Sequence, residues 1–257
     1  MDFSGKSVIV TGAGKGIGRA TALLLAKRGA SVVALTRTAA DLDSLQKEIG
    51  CVSIAVDLAD ADATRAAAIK ALPADFLVNC AGTTELESFL DLTVENFDLL
   101  HAVNTRAPMI VAQEVVRALI AQGLPGAIVN VSSIAAQVGT PLHTAYCASK
   151  GALDTLTRNT AFALLKNRIR VNGLNIGWMS SDGEDRIQRE FHGAAEDWLD
   201  KAAAAQPFGR LVDPAEVARA VAYLSSAESG LMTGSTINFD QSIWGAYDGS
   251  PHPVAPM

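Results

Sequence analysis

Residues 11 to 18 read TGAGKGIG, four glycines and two other small residues in one turn, with a single long side chain, Lys15, among them. Glycine enters positive φ without a Cβ penalty, so this density marks a backbone that must turn sharply or admit a close neighbour. Ahead of it, SVIVT (Ser7 to Thr11) is a short β-branched run of the kind that forms a buried parallel strand. Behind it, IGRATALLLAKRG reads as a helix with Ile17, Ala20, Leu24 and Lys27 along one side and its close at Gly29. Strand, glycine turn and helix open a dinucleotide-binding βαβ unit, in which N–H groups at the helix start hold a pyrophosphate. The spacing is G-x-x-x-G-x-G, through Gly12, Gly16 and Gly18; in G-x-G-x-x-G the third glycine would fall at Ile17.

The same alternation continues down the chain. Strand-like runs recur at Ser31 to Thr36, Cys51 to Val56, Phe76 to Asn79, Ala127 to Val131, Arg170 to Asn175 and Thr236 to Phe239. Alanine- and leucine-rich segments of helical spacing lie between them, the longest being Thr93 to Ala121 and Ala145 to Lys166. Alternating β and α elements imply right-handed crossovers and helices on both faces of a parallel sheet. The fold expected is α/β: a single-domain Rossmann fold, doubly wound, with a parallel sheet of about seven strands. Its 257 residues, 49% of them hydrophobic, are enough for one large core, and no repeat or long linker divides them. Residues 1–92 are expected to form mainly the dinucleotide-binding half, and residues 93–257 the catalytic and substrate half.

A formal net charge of −6, with the charges scattered, argues against nucleic acid and anionic membranes as partners. No basic segment precedes a long apolar one at the N-terminus, and no apolar run approaches the roughly 18 residues of a membrane span, so a cytoplasmic protein is expected. Cys51, Cys80 and Cys147 are odd in number and widely spaced, which points to packing; neither a disulfide framework nor a metal site is expected.

In open α/β sheets ligands sit at the carboxyl ends of the strands, and four polar groups fall there or just beyond. VNCAG follows one strand, VNTRAP carries Asn104 within a long helix, VNVSS ends a strand at Ser132 and Ser133, and YCASK opens a helix. Tyr146 and Lys150 stand four apart, one helical turn, on one face. A phenol titrates near pH 10, about three units too high for a base at neutral pH, and a neighbouring ammonium favours its phenolate. Such a pair can exchange a proton with an alcohol or carbonyl, a nearby serine hydroxyl can hold the reacting oxygen, and a nicotinamide can exchange the hydride. Together they form a carbonyl/alcohol redox site.

With these residues assembled, the chain closely resembles the short-chain dehydrogenase/reductase family, over nearly its whole length from TGAGKGIG through NCAG, Asn104, Ser133, YCASK and IRVNGLN to the last strand. The resemblance selects Ser133, thirteen residues before the tyrosine, over Ser132. It implies that Ser133 orients substrate oxygen, that Tyr146 is the acid/base, that Lys150 lowers the tyrosine pKa and holds the nicotinamide ribose, and that Asn104 supports a water-linked proton relay. It further implies cofactor contacts at Gly12, Gly16, Ile17, Gly18, Asp57, Leu58, Asn79, Ala81, Gly82, Ile176, Gly177 and Ser181. Three positions depart from the family pattern. Cys80 stands for a second asparagine, Ile176 for a proline, and Gln241 and Ser242 for a pair of glycines.

At the end of the second strand, Thr36 stands where NAD-binding units commonly place an acidic residue for the adenosine ribose. Arg37 follows, with a planar fork suited to phosphate, and Thr38 adds a hydroxyl. With Lys15 approaching from the glycine loop, the set resembles the NADP-dependent members, so NADP(H) is expected in preference to NAD(H). VVALTRTAADLDSL, GLPGAIVNVSS, ALDTLT and GLMTGST look most like the branch of carbonyl reductases acting on pentuloses and related polyols. His143 matches that branch and is a candidate for a substrate hydroxyl, with loop histidine satisfied by backbone or water as its rival reading. The family keeps its mobile substrate loop at about residues 179–206, where Glu184, Asp185, Arg186, Arg189, His192 and Trp198 fall; a solvated amphipathic helix accounts for most of these charges. Trp178 or Trp198 stacking on a sugar face, or an arginine reading an acidic group, are the ligand-binding alternatives. A homotetramer (or homodimer) is expected from the resemblance, with the tail WGAYDGSPHPVAPM either closing a pocket or disordered. A reductase of a more apolar ketone, keto-acyl or steroid-like, and a non-catalytic nucleotide-sensing protein are the competing functions.

Overall fold

A computed structural model describes residues 1–190 and 193–242. Seven strands, β1 (Ser7–Thr11), β2 (Ser31–Thr36), β3 (Val52–Ala55), β4 (Phe76–Asn79), β5 (Gly126–Ser133), β6 (Ile169–Ile176) and β7 (Thr236–Phe239), form one sheet in the order β3-β2-β1-β4-β5-β6-β7. Every neighbouring pair is parallel. The helices are α1 (Gly16–Lys27), α2 (Ala39–Ile49), α3 (Ala61–Lys70), α4 (Val94–His101), α5 (Ala107–Gln122), α6 (Thr144–Ala163), α7 (Asp182–Glu190), α8 (Trp198–Ala204) and α9 (Pro214–Ser225).

Strand side chains alternate between faces, and that alternation builds two apolar layers. Val8, Val10, Val78 and Val129 join α1 and α9 residues such as Leu25, Val217 and Val221 in one. Ile9, Leu77 and Ile128 join Ala67, Val111 and Val115 of α3 and α5 in the other. Each fully buried Leu, Ile or Val contributes about 1.5–3 kcal/mol relative to exposure, so these layers dominate the fold's stability.

The side of α1 that packs inward differs from the expected stripe. Ile17 is buried, but Ala20 and Leu24 are only half-buried and Lys27 is exposed, whereas Gly18, Thr21, Ala22 and Leu25 face the core. Close packing on the glycine loop sets that rotation: a Cβ on Gly18 would stand 2.1 Å from the Gly12 carbonyl oxygen, so only glycine can face the loop there.

The long helix expected from Thr93 to Ala121 divides into α4 and α5 through one π-helical turn, Ala102–Arg106. Pro108 explains the break in register. It has no N–H to donate to the carbonyl of Asn104 four residues earlier, so α-helical bonding cannot run through this point. β5 and β6 are longer than expected and pair through to Ser133 and Ile176, which brings those two residues side by side at the carboxyl edge. None of the described helices is long and apolar enough to cross a membrane. The three cysteines are free, and Cys51 packs in the first apolar layer.

Candidate active site

Two adjoining cavities lie at the carboxyl ends of the strands. A groove of about 750 Å³ runs over the glycine turn and the ends of β2 and β3. A pocket of about 630 Å³ lies over β5 and the start of α6, and Cys80, Gly82, Thr83, Thr84 and Ser181 line both.

The groove has the build of a dinucleotide cradle. Gly12 holds φ at 67°, and a Cβ there would stand 2.7 Å from the backbone of Ala81. That close approach keeps the strand ends together, aided by the Thr11 hydroxyl, which accepts from the N–H groups of Cys80 and Ala81 at 3.1 and 3.2 Å. Lys15, Gly16, Arg37, Thr38, Asp57, Leu58, Ala81 and Gly82 line the groove as expected. Thr36 and Asp41 line it too. Asp41 was not foreseen; its carboxylate stands 3.9 Å from the Lys15 ammonium.

Two expected cofactor residues stand behind the groove. Asn79 is buried in the sheet, where its amide donates to Asn130 Oδ1 at 2.9 Å, so it ties β4 to β5 and does not line the groove. Gly18 packs under Gly12. Ile17, Ile176 and Gly177 line the second pocket, and Ser181 sits where the two cavities join. A Cβ on Gly177 would lie 1.9 Å from the Asp240 carboxylate, so this turn requires glycine.

Ser133, His143, Tyr146, Lys150 and Trp178 meet in the second pocket. Ser133 at the end of β5 lines the pocket with the Tyr146 phenol, and its Oγ accepts from the Ala135 N–H at 3.1 Å. Lys150, almost fully buried, donates to the Val131 carbonyl at 3.1 Å and lies 5.7 Å from the centre of the Tyr146 ring. Burial pushes its pKa down to about 8, against the raising influence of Cys80 and Asp154. Burial pushes the Tyr146 phenol up, and the Ser133 hydroxyl pulls the other way. The lowering influence expected from the ammonium is thus opposed by burial of the phenol, which helical spacing alone does not reveal. The Cys80 thiol is likewise pushed up, to about 12, by burial.

Asn104 is fully buried beneath the loop after β4. Its carbonyl oxygen accepts from the Thr83 N–H at 2.9 Å, and its amide donates to the Thr83 carbonyl at 2.9 Å and to Ser149 Oγ at 3.0 Å. His143 lines the pocket with its ring 6.1 Å from that of Tyr146 and its Nδ1 3.3 Å from the Pro141 carbonyl.

Helix α7 crosses the mouth, and here the sequence was least legible. Trp178 lines the pocket and donates to Glu184 Oε1 at 2.7 Å. Trp198, the other candidate for stacking, is buried with Ala202 and Leu211 and donates to Asp185 Oδ1 at 2.7 Å, so it braces the segment from behind. Arg189 pairs with Asp185, and Arg186 lines the groove rather than the pocket. Glu184, Ile187 and Gln188 line the pocket although the charge pattern read as a solvated face. The indole pair spaced around an acidic helix was the available signal. Gln241, at one of the positions departing from the family, accepts from the Phe208 N–H at 2.8 Å and donates to the Arg210 carbonyl at 2.6 Å, anchoring the segment that follows α8. His192 and the tail from Trp244 lie outside the described residues.

Fold and site together define a nicotinamide-dependent oxidoreductase with a doubly wound sheet and a Ser-Tyr-Lys set. The model of a family described as "Enoyl-(Acyl carrier protein) reductase" matches residues 12–241. An L-xylulose reductase of Mesocricetus auratus is 45% identical over 242 residues, 93% of this chain and 97% of that protein. A D-erythrulose reductase of Gallus gallus is 43% identical over 246 residues, 93% of this chain and 96% of that one. A solved "short chain dehydrogenase/reductase family protein" superposes with a TM-score of 0.84 at 32% identity, covering 94% of this chain and 98% of its own. The chain belongs to the short-chain dehydrogenase/reductase family and is an oxidoreductase acting on CH–OH groups.

Proposed function

We propose that the protein is an NADPH-dependent reductase of ketoses and related small polyhydroxylated carbonyl compounds, working in the reverse direction as a polyol dehydrogenase. The carrying observation is the pocket that Ser133 and Tyr146 line together with Thr140, His143, Glu184 and Gln188, a wall of donors and acceptors suited to several hydroxyls. The named activities of the hamster and chicken relatives, both on ketoses, support the same substrate class.

When bound, a nicotinamide cofactor gives a hydride to the carbonyl carbon or takes one from the alcohol. In this reading Ser133 donates a hydrogen bond to the carbonyl oxygen, and Tyr146 gives its phenolic proton to that oxygen as negative charge develops there. Lys150 holds the nicotinamide ribose and favours the phenolate left behind, which is then reprotonated. The main-chain carbonyl of Asn104, to which Pro108 can offer no N–H, would hold a water at the inner end of that relay. Arg37, Thr38 and Lys15 surround the 2′-phosphate, and Gly12, Gly16, Asp57, Leu58, Ala81, Gly82, Ile17, Ile176, Gly177 and Ser181 make the remaining cofactor contacts. We also assign the protein to the cytoplasm and to a homotetramer, with a homodimer as the smaller alternative.

The test is a screen of purified protein with NADPH and with NADH against L-xylulose, erythrulose and a keto-acyl thioester. Turnover of the ketoses with NADPH is expected. Efficient turnover of the thioester without the ketoses overturns the sugar reading.

A further inference from the structure

Glu184 is the one carboxylate among the described residues lining the substrate pocket. It stands in the first turns of α7, half-buried, and two donors orient it: Trp178 Nε1 at 2.7 Å and Gln188 Nε2 at 2.9 Å. Both bonds fall on Oε1, and among the described residues no hydrogen bond falls on Oε2. Its backbone is pinned as well, the Glu184 N–H donating to Ser181 Oγ at 3.1 Å. The carboxylate therefore has a fixed place in the wall. It lines the same pocket as the Tyr146 phenol, whose proton it helps to retain.

The other charged group lining the pocket is Lys150, which is buried at its inner end and engaged with the Val131 carbonyl. Among the described residues lining the pocket, a substrate tail that reaches α7 thus meets a carboxylate and no arginine or second lysine; Arg186 of the same helix lines the adjoining groove. A fixed carboxylate accepts hydrogen bonds from hydroxyls and repels a carboxylate or phosphate brought into the same partly dry cavity. Repulsion of the wrong ligand is as effective a source of selectivity as attraction of the right one.

We infer that Glu184 is the specificity-determining residue of the pocket: Oε2 accepts from hydroxyls at the end of a neutral ketose remote from its carbonyl, and the carboxylate excludes keto sugars that carry an acidic group there. The inference rests on the sugar-reductase reading and narrows it to uncharged substrates. Glu184 is a substrate-contacting residue and takes no part in proton transfer.

The experiment compares kcat/KM for L-xylulose and for a ketogluconate, a keto sugar ending in a carboxylate, in the parent enzyme, in Glu184→Gln and in Gln188→Lys. Glu184→Gln keeps an acceptor for Trp178, removes the charge and puts an amide N–H donor, which can still bond a hydroxyl oxygen, in the place of Oε2. Gln188→Lys retains Glu184 and places a cation beside it, so the result does not depend on one variant folding. The parent is expected to prefer L-xylulose. Both variants are expected to shift the ratio toward ketogluconate by about tenfold or more, chiefly through KM, with kcat for L-xylulose changing less than the ratio. An unchanged ratio in both variants, within about twofold, overturns the inference while the enzyme's turnover of L-xylulose leaves the sugar reading standing. A parent enzyme that prefers ketogluconate overturns it equally. Turnover of neither sugar, with turnover of a keto-acyl thioester, overturns the sugar reading and this inference with it.

Discussion

Tyr146 and Lys150 are held in a dry site whose cost to charge works on each in the opposite sense. The phenol is pushed up and the ammonium down, so both are biased toward their neutral forms. For Tyr146 this favours a proton-bearing hydroxyl beside Ser133. Tyr146→Phe removes that proton and little volume. Turnover is expected to fall by about a hundredfold or more, while the dissociation constant for NADPH, measured by fluorescence titration, changes little. Turnover within tenfold of the parent would count against the phenol's role. For Lys150 the same burial has a consequence for stability. Its folded pKa is about 8, below the ordinary value of 10.5, so below pH 8 both states carry the charge and the folded state bears the full desolvation penalty. As pH rises from about 8 to 10.5 the folded state releases its proton first, and the penalty disappears. The stability of cofactor-free parent relative to Lys150→Met is therefore expected to rise across that window, on the order of 1–3 kcal/mol, in paired denaturant titrations. A constant difference between the two proteins would show that the ammonium is better solvated than its surroundings indicate. The same variant should lose turnover and weaken cofactor binding.

In the proposed reading the turn between β2 and α2 decides cofactor choice, with elements the sequence exposed only in part. Arg37 and Thr38 follow β2 directly, so their place in the groove could be read from the strand's end. Asp41 lies in the first turn of α2, and its nearness to Lys15 comes from packing of the glycine loop on that helix: a Cβ on Gly14 would meet the Asp41 side chain at 2.9 Å. No local pattern carries that contact. It bears on affinity, because the Asp41 carboxylate competes with a phosphate for the Lys15 ammonium. Arg37→Ala is expected to weaken NADPH binding by roughly ten- to a hundredfold and NADH binding far less, since a charge-assisted hydrogen bond contributes about 1.5–3 kcal/mol. Asp41→Asn is expected to tighten NADPH several-fold and leave NADH nearly unchanged. Equal affinities of the parent for the two cofactors, by isothermal titration, would remove Lys15 and Arg37 from the phosphate site. The same limit on local reading runs through the molecule. Strand centres with period-two or continuous apolar runs were legible, as were Ser133, Tyr146 and Lys150, whose spacing is fixed within one strand and one helix. The inward side of α1, the withdrawal of Asn79 behind the groove, the burial of Trp198 and the entry of Glu184 into the pocket each depend on a contact between distant segments, and tertiary packing overrides local pattern there.

At the scale of the whole molecule, the two faces of the sheet are not finished alike. Helices α4 and α6 pack against one another, yet large apolar side chains remain uncovered near them: Phe89 at 75% exposure, Leu90 at 91%, Val94 at 70% and, at the far end of α6, Phe162 at 79%. Single exposed apolar residues are ordinary, but a monomer seldom leaves several large ones on neighbouring elements. The proposed catalytic set is carried by the same helices: α6 bears Tyr146 and Lys150, and the π-turn that buries Asn104 continues directly from α4. Covering the outer face with a second copy would brace the helices that hold the site. A self-complementary patch of this kind closes by a two-fold axis. The parent protein is therefore expected to sediment as a dimer or larger closed oligomer at micromolar concentration. Val94→Glu combined with Phe162→Glu, which places like charges on these exposed apolar positions, is expected to yield a smaller species with a melting temperature lower by several degrees and reduced turnover. A parent that sediments as a monomer at enzyme-assay concentration with full turnover would show that α4 and α6 hold the site without support from a second copy.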